Sequence, residues 1–367
     1  MIKVIILQPY NCPYRNPLFN EIAGFADVSL YVVYFGSREQ SRKWEYHYEP
    51  KFKEVQIKVK AVKTGYESND YKYSFINNVK VLLKIRPDII IGVPNKIGKI
   101  IGLLQPFFGY KLISWTEDTV VTTNGKKFSL KHKLTYYNKV KSFIVPGKLA
   151  LEYLEFAGIK TKNSNVFFAP NTIDDEMFNF TPNIIDQKFN NDLTHLNFLF
   201  AGHHTKRKGV DLLYDAIDIL NKRKYRYTYS FEMVGEAIIG RNDTQNINFH
   251  GFKNGKEYVD FLRKSHILIL PSRQDCNPLV VIEALKSGMV ILVSKGVGSY
   301  PEYTNGNGFS FEANSVESAV DAIEKILSSQ LTDLIKMAKI SYQFGQNITA
   351  KNSASAFYKA INHALKS

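Results

Sequence analysis

The sequence predicts an α/β protein built from two doubly wound parallel-sheet, Rossmann-like domains facing across a cleft. Three observations carry this expectation. Strand-like and helix-like patterns alternate along the chain, as they do when helices cover both faces of a parallel sheet. Some strand runs are apolar without a break, such as Ile89-Ile90-Ile91, which fits strands buried on both faces. The length of 367 residues exceeds the roughly 250–300 residues over which a single core grows, so two domains are expected.

In the first half the strand runs are 3–7, 28–34, 54–59, 88–93, 111–115 and 142–145. Helical patterns lie between them at 19–24, 73–84, 96–107, 131–140 and 148–156. The rhythm breaks at 171–194, which is rich in Asn, Asp and Pro and reads as a linker. It then restarts with strands at 197–200, 229–234, 247–249, 267–270 and 290–293 and helices at 210–221, 258–265 and 278–287. The chain ends in a helical pattern over 352–365. The expected organisation is an N-terminal domain 1–170, joined by the terminal helix 351–367, and a C-terminal domain 195–350. Ligands of such sheets bind at the carboxyl ends of the strands, where loops and helix starts converge.

A hydrophobic fraction of 44% and a charged fraction of 22% are ordinary for a globular protein. The net charge of +14 is not, and it favours anionic partners: nucleic acid, an acidic membrane surface or a phosphorylated small molecule. Two distant cysteines, Cys12 and Cys276, make no disulfide framework and suit a reducing, cytoplasmic compartment. No uninterrupted apolar stretch reaches the roughly 18 residues a membrane span needs.

Two windows carry chemistry. Residues 267–283 read Ile-Leu-Ile-Leu-Pro-Ser-Arg-Gln-Asp-Cys-Asn-Pro-Leu-Val-Val-Ile-Glu. A buried strand, a polar loop and a helix start follow one another, with Pro278 suited to the first turn and Asn277 to its cap. The free N–H groups and the dipole of that helix start would accept a diphosphate. Asp275 and Glu283 bracket it and could each take the hydroxyls of one sugar ring. The same residues would also serve as a capping acid and a surface glutamate. The second window, 200–210, ends a strand at Gly202 and continues His203-His204-Thr205-Lys206-Arg207-Lys208 before a helix. Cations there would meet charge developing on a leaving diphosphate. A solvated basic loop has the same composition.

In this order the two windows resemble the retaining glycosyltransferases of family 4, which have the GT-B fold. The match runs through Leu270-Pro271-Ser272, then Asp275 and Glu283 in the places of the family's paired acids, and Glu283-Ala284-Leu285-Lys286-Ser287-Gly288. It extends to Gly296-Val297-Gly298-Ser299-Tyr300-Pro301-Glu302, to Asn305-Gly306-Asn307-Gly308, to Pro170-Asn171-Thr172-Ile173-Asp174, and to His250-Gly251-Phe252. The resemblance is specific over about 165–310 and weaker in the N-terminal half. It implies a nucleotide-sugar donor, UDP- or GDP-linked, with no separate cofactor. It implies that Glu283 binds the ribose and that Asp275 lies near the transferred sugar. The amides of Asn277, Pro278's neighbour Leu279 and the surrounding turn would hold phosphate. Gly202, Lys208 and Phe252 would line the donor site. The family's Arg and Lys five residues apart become His203 and Lys208 here, and its first acid, usually Glu, becomes Asp275. On the acceptor side it points to Glu117, as a group acting on the nucleophile, with Trp115 and Arg15. The catalytic set is then Glu117, Asp275 and Lys208. Transfer would retain configuration, onto a glycan or lipid-linked acceptor of bacterial cell-surface polysaccharide synthesis.

No metal site is expected, because His residues are scattered and no loop carries Asp-x-Asp. Residues 126–141 hold six Lys, one His and no acid among apolar side chains. On a helix they would suit peripheral contact with an anionic membrane, on the inner face of the plasma membrane, or equally an ordinary solvated face. The rival readings are a nucleotide-sugar epimerase on the same fold and, from charge alone, a nucleic-acid-binding protein. The latter lacks any recognisable module.

Overall fold

A computed structural model describes residues 1–36, 49–57, 60–64, 69–72, 75–92, 95–236 and 245–367. Parts of the expected runs 54–59, 73–84 and 88–93 (residues 58–59, 73–74 and 93) lie outside them. The chain divides into two compact units. The first comprises 1–117, 126–172 and 350–367, and the second 118–125 and 173–349.

The first unit runs β1 (Ile2–Gln8), α1 (Asn16–Ala23), β2 (Val28–Tyr34), β3 (Lys53–Gln56), β4 (Lys60–Thr64), β5 (Asn69–Lys72), α2 (Phe75–Ile85) and β6 (Ile89–Gly92). It continues with α3 (Lys96–Phe108), β7 (Lys111–Trp115), α4 (Leu130–Thr135), β8 (Val140–Val145), α5 (Lys148–Phe156) and β9 (Val166–Phe168). Seven strands form one parallel sheet in the order β3-β2-β1-β6-β7-β8-β9, and β4 and β5 form a separate antiparallel pair. Successive strand side chains point to opposite faces, so each central strand feeds two cores. Ile5, Leu7, Val33 and Ile90 belong to one, with α2, α3 and α5. Val4, Ile6, Val32, Ile89 and Ile91 belong to the other, with α1 and the terminal helix. The expected helix 131–140 is shorter in the structure, because Tyr136 leaves helical geometry and a 3₁₀ turn follows.

The second unit contains α6 (Asn183–Lys188), β10 (His195–Ala201), α7 (Val210–Leu220), β11 (Thr228–Val234), β12 (Ile247–Gly251), α8 (Gly255–Lys264) and β13 (Ile267–Leu270). Then come α9 (Leu279–Lys286), β14 (Val290–Ser294), α10 (Tyr300–Tyr303), β15 (Gly308–Phe311), α11 (Val316–Leu327) and α12 (Leu331–Asn347). The last helix, α13 (Ala350–Lys366), belongs to the first unit. The six strands form a parallel sheet in the order β12-β11-β10-β13-β14-β15. The α/β architecture of two parallel sheets is thus the one the alternation predicts.

The span 171–194, read above as a linker, contributes to the second core. Ile173, Phe178, Phe180, Ile184 and Ile185 are buried there. Residues 118–125 also belong to that unit: Gln274 donates its side-chain amide to the Val121 carbonyl at 3.2 Å and to Asn124.

Helix α9 is held from three sides. Val281, Ile282, Ala284 and Leu285 are fully buried. At its C-terminal end Lys188, itself buried, donates to the Ser287 carbonyl at 2.6 Å, and Lys286 pairs with Asp175 at 2.7 Å. Burial holds the Lys188 ammonium well below its ordinary pKa. Helix α12 crosses α9 at Gly345, where an added Cβ would lie 2.6 Å from the Lys286 amide nitrogen. Among the described residues no helix is long and apolar enough to cross a membrane.

This crossing reverses an ordinary rule. Gly→Ala inside a helix normally stabilises by about 1 kcal/mol. Gly345→Ala is expected to destabilise by about 1–3 kcal/mol, because backbone cannot yield as a side chain does. Urea unfolding of the whole chain, followed by far-UV circular dichroism, measures the sign.

Candidate active site

In the second unit the site is built where loops after β10 and β13 meet. Gly202 and Gly209 take positive φ of 152° and 72°. A Cβ on Gly209 would overlap the Pro271 carbonyl. The Arg273 amide donates to the Arg207 carbonyl at 2.8 Å, which ties the two loops together. Arg273 also grips Asp211 with both guanidinium nitrogens, at 2.6 and 3.0 Å. Lys206 and Arg207 are exposed, and Arg207 donates to the Gln274 carbonyl at 3.1 Å.

A third loop, after β14, fixes Asp275. The Asp275 amide donates to the Gly296 carbonyl at 3.0 Å, and the Gly298 amide donates to the Asp275 carbonyl at 2.7 Å. Gly296 and Gly298 have no room for a Cβ against the Ser272 and Cys276 carbonyls. So positioned, the Asp275 carboxylate takes an ion pair from Lys208. Each side chain keeps only 13% of its exposure. The structure therefore brings together two residues 67 apart in sequence that the two windows proposed separately.

Helix α9 starts beside them. Pro278 sits at the N-cap, not in the first turn, and no side chain caps the helix. Its ψ of 125° is extended, so helical geometry begins at Leu279. Asn277 was expected as the cap; it is buried and both its amide atoms lack a hydrogen-bond partner. The N–H groups of Leu279 and Val280 at this start have no intrahelical partners, whereas that of Val281 donates to the Pro278 carbonyl at 3.2 Å.

Glu283 faces α8. The Tyr258 hydroxyl donates to Glu283 Oε2 at 2.5 Å. Burial raises the Glu283 pKa to about 7, and the Tyr258 hydrogen bond only partly opposes it. Phe252, just past β12, is exposed. His203 is part-buried, whereas His204 is fully buried against the rings of Phe200 and Phe249, at 5.5 and 5.9 Å between ring centroids. Both His204 ring nitrogens lack partners, and burial, with His203 adding to it, lowers its pKa to about 4. Sequence reasoning missed Tyr258 and His204. The first has no motif, and the second was hidden in a run read as uniformly basic.

In the first unit, Arg15, Trp115 and Glu117 converge at the carboxyl ends of β1 and β7. Arg15 Nη2 pairs with Glu117 Oε1 at 2.7 Å, and the guanidinium lies 4.3 Å from the Trp115 ring centroid. Asn171 donates to the other Glu117 oxygen at 3.2 Å. Burial is the largest single influence and works against the Arg15 charge, but Glu117, Tyr14 and Cys12 together outweigh it and hold the guanidinium above its usual pKa. Burial pushes the adjacent Tyr14 hydroxyl up to about 12. Among the described residues no three His, Cys, Asp or Glu side chains gather as a metal group would.

Comparison with known proteins identifies the fold and the family. A solved structure of the Anabaena protein HepE, in complex with UDP and glucose, superposes with a TM-score of 0.67 at 14% identity, covering 99% of this chain and 100% of that one. The lipopolysaccharide outer core galactosyltransferase WaaB superposes with a TM-score of 0.69 at 13% identity, covering 98% and 99%. An uncharacterized glycosyltransferase of Methanocaldococcus jannaschii is 26% identical over 306 residues, 77% of this chain and 81% of that protein. The fold class is GT-B. The model of the family Glycosyl transferases group 1 matches residues 183–366, and the chain belongs to that family. It is a glycosyltransferase.

The raised Glu283 pKa makes a signed prediction. A carboxyl whose folded pKa exceeds its unfolded value lends stability below about pH 4.5, and that contribution is lost as pH rises through about 7. Glu283→Gln removes the titration. The stability of wild type minus that of the variant should fall by roughly 2 kcal/mol between about pH 5 and about pH 8. Urea midpoints of both proteins at the two pH values measure it.

Proposed function

We propose that this glycosyltransferase moves a sugar from a nucleoside-diphosphate sugar, with UDP as the first candidate, onto a glycan or lipid-linked acceptor with retention of configuration. The observation that carries the reading is the Lys208–Asp275 pair set beside the uncapped start of α9. A donor diphosphate at that helix start would be met by backbone N–H groups, the helix dipole and the Lys208 ammonium. It would compete with Asp275 for that ammonium and free the carboxylate for the transferred sugar. As the bond to the anomeric carbon breaks, charge grows on the diphosphate oxygens, and the same fixed groups stabilise it. The acceptor hydroxyl attacks from the face the diphosphate leaves, passing its proton to a leaving-group oxygen. This scheme needs no metal, because the cation at the phosphate is Lys208.

The ribose is assigned to Glu283. Two vicinal hydroxyls donate best to an ionised carboxylate, so donor binding would draw the Glu283 pKa down from its raised value. Phe252 and Gly202 complete the donor side, with His203 beside them. In the first unit Glu117, oriented by Arg15 and Asn171, is assigned to the acceptor hydroxyl; Trp115, expected on the acceptor side, is buried in the core and backs the Arg15 guanidinium instead of facing a ligand. The UDP bound by HepE supports UDP here, and the role of WaaB as a lipopolysaccharide outer core galactosyltransferase supports a saccharide acceptor at the cell envelope.

Ligand that binds only the folded state stabilises by about 2.7 kcal/mol at 100 times its Kd. UDP or GDP at such a concentration is expected to raise the melting temperature by several degrees. Lys208→Ala and Glu283→Ala should abolish the shift while Glu117→Gln keeps it. No shift with either nucleotide would defeat the donor assignment.

A further inference from the structure

Among the described residues, one outer face of the first unit stands out. Helices α2, α3 and α4 turn their buried stripes toward the same core. Leu82 and Ile85 of α2 and Ile97, Ile101 and Leu104 of α3 lie in it, followed by Tyr136 and Tyr137 just past α4. Their opposite stripes therefore point outward on the same side of the sheet. The helices are neighbours: α2 touches α3, and α3 meets the end of α4 so closely that a Cβ on Gly102 would overlap the Thr135 carbonyl. Lys139 closes the junction with a 2.6 Å bond to the Gly102 carbonyl.

The outward stripes carry large apolar side chains. Phe107 is 83% exposed, Leu130 72% and Ile76 65%. Leu83, Leu103 and Leu134 are also exposed. On α3 the exposed positions 96, 103 and 107 fall at helical spacing, so they form one line, as do 76, 80 and 83 on α2 and 130 and 134 on α4. Between them stand Lys80, Lys84, Lys96, Lys99, Lys131 and Lys133, and none of the three helices contains an acid. The face ends where α5 begins, since its exposed positions include Glu152 and Glu155. On the other side of the sheet, α13 exposes Lys351, Asn352 and Lys359 along its length, with Leu365 only in its last turn.

We infer that this three-helix face is a docking surface for an anionic lipid bilayer. Apolar side chains standing singly among lysines match the boundary between headgroups and acyl chains, where each ammonium meets a phosphate and each Leu or Phe enters the hydrocarbon edge. A second copy of the chain is a poor occupant, because it would bring the same row of cations to the contact. The sequence pointed only to 126–141. The structure makes α4 one third of a broader face to which α2 and α3 contribute further exposed aromatic and aliphatic groups. The inference deepens the proposed use of a lipid-linked or envelope acceptor and rests on that reading for its purpose, though not for its physical basis.

The test is co-sedimentation of the full chain with phosphatidylcholine vesicles, with and without phosphatidylglycerol, at low and high salt. Wild type should bind the phosphatidylglycerol vesicles at low salt, at least tenfold better than the neutral ones, and should be released by salt. Leu103→Ser with Phe107→Ser should weaken binding at least tenfold, and so should Lys84→Glu with Lys131→Glu. Lys351→Glu with Lys359→Glu makes the same change in net charge on α13 and should bind as wild type does. The UDP-induced melting shift, read on every variant, reports folding and judges the donor reading separately. Absence of wild-type binding at low salt overturns the inference. So does equal loss in the α13 variant, which would reduce the effect to net charge, or concentration-dependent self-association that Leu103→Ser with Phe107→Ser abolishes.

Discussion

The proposed donor side of this protein depends on backbone touching backbone. The loops after β10, β13 and β14 approach so closely at Gly209, Gly296 and Gly298 that a carbonyl occupies the place of each missing Cβ. This closeness lets the Asp275 main chain be held by two hydrogen bonds to the β14 loop, so that its carboxylate is aimed by backbone and not by rotamer choice alone. It also brings Lys208 within reach of that carboxylate from a different strand end. A side chain at any of the three glycines would separate the loops, and with them the cation, the acid and the helix start.

The charge dressing of α9 follows the same logic. Its first turn holds no acid and no capping side chain, so its positive end is not neutralised from within the chain. Its other end is covered by two buried ammonium groups, Lys188 on the Ser287 carbonyl and Lys286 beside Asp175. Cations there complement the negative end of the dipole. A helix so arranged is stabilised at the end away from the ligand and left incomplete at the end that would receive it. Burying an ammonium against a carbonyl is costly, and burial pushes Lys188 toward its neutral form, in which the amine still donates to the Ser287 carbonyl.

Much of this was legible in the sequence, because it is local. The apolar runs at Ile89–Gly92 and Ile267–Leu270 and the strand–loop–helix order around them predict parallel strands with helices between. The spacing of Asp275 and Glu283 about a helix start, and of Lys208 after a strand end, is likewise a local pattern. What could not be read depends on pairing at a distance. Arg15 and Glu117 lie 102 residues apart, and Tyr258 and Glu283 meet only because α8 and α9 are brought side by side. The cap at Asn277 failed for a subtler reason. The φ of Pro278 suits a helix and an extended chain alike, and here its ψ is extended, so the cap moves one residue on. Over 171–194, Asn, Asp and Pro mark irregular backbone but not exposure, and the burial of Ile173, Phe178 and Ile184 between them was not legible from composition.

The excess of positive charge is the feature that sequence handled least well, because a sum has no position. The structure divides it. Lys208, Arg273, Lys188 and Lys286 each meet an oxygen of their own unit, and their charge is spent on holding loops and helix ends. The lysines of α2, α3 and α4 stand instead on the outward side of helices whose inner stripes are satisfied by the core. Removing a cation of the first group would leave an acid or a carbonyl of its own unit without that partner. Around the second group an ordinary solvated surface would mix their sign with acids and place no Phe or Leu between them. The absence of any acid from three adjacent helices, together with apolar side chains turned to solvent, is a pattern that internal packing does not require. A surface outside the protein, negatively charged and apolar beneath, accounts for both halves of it at once.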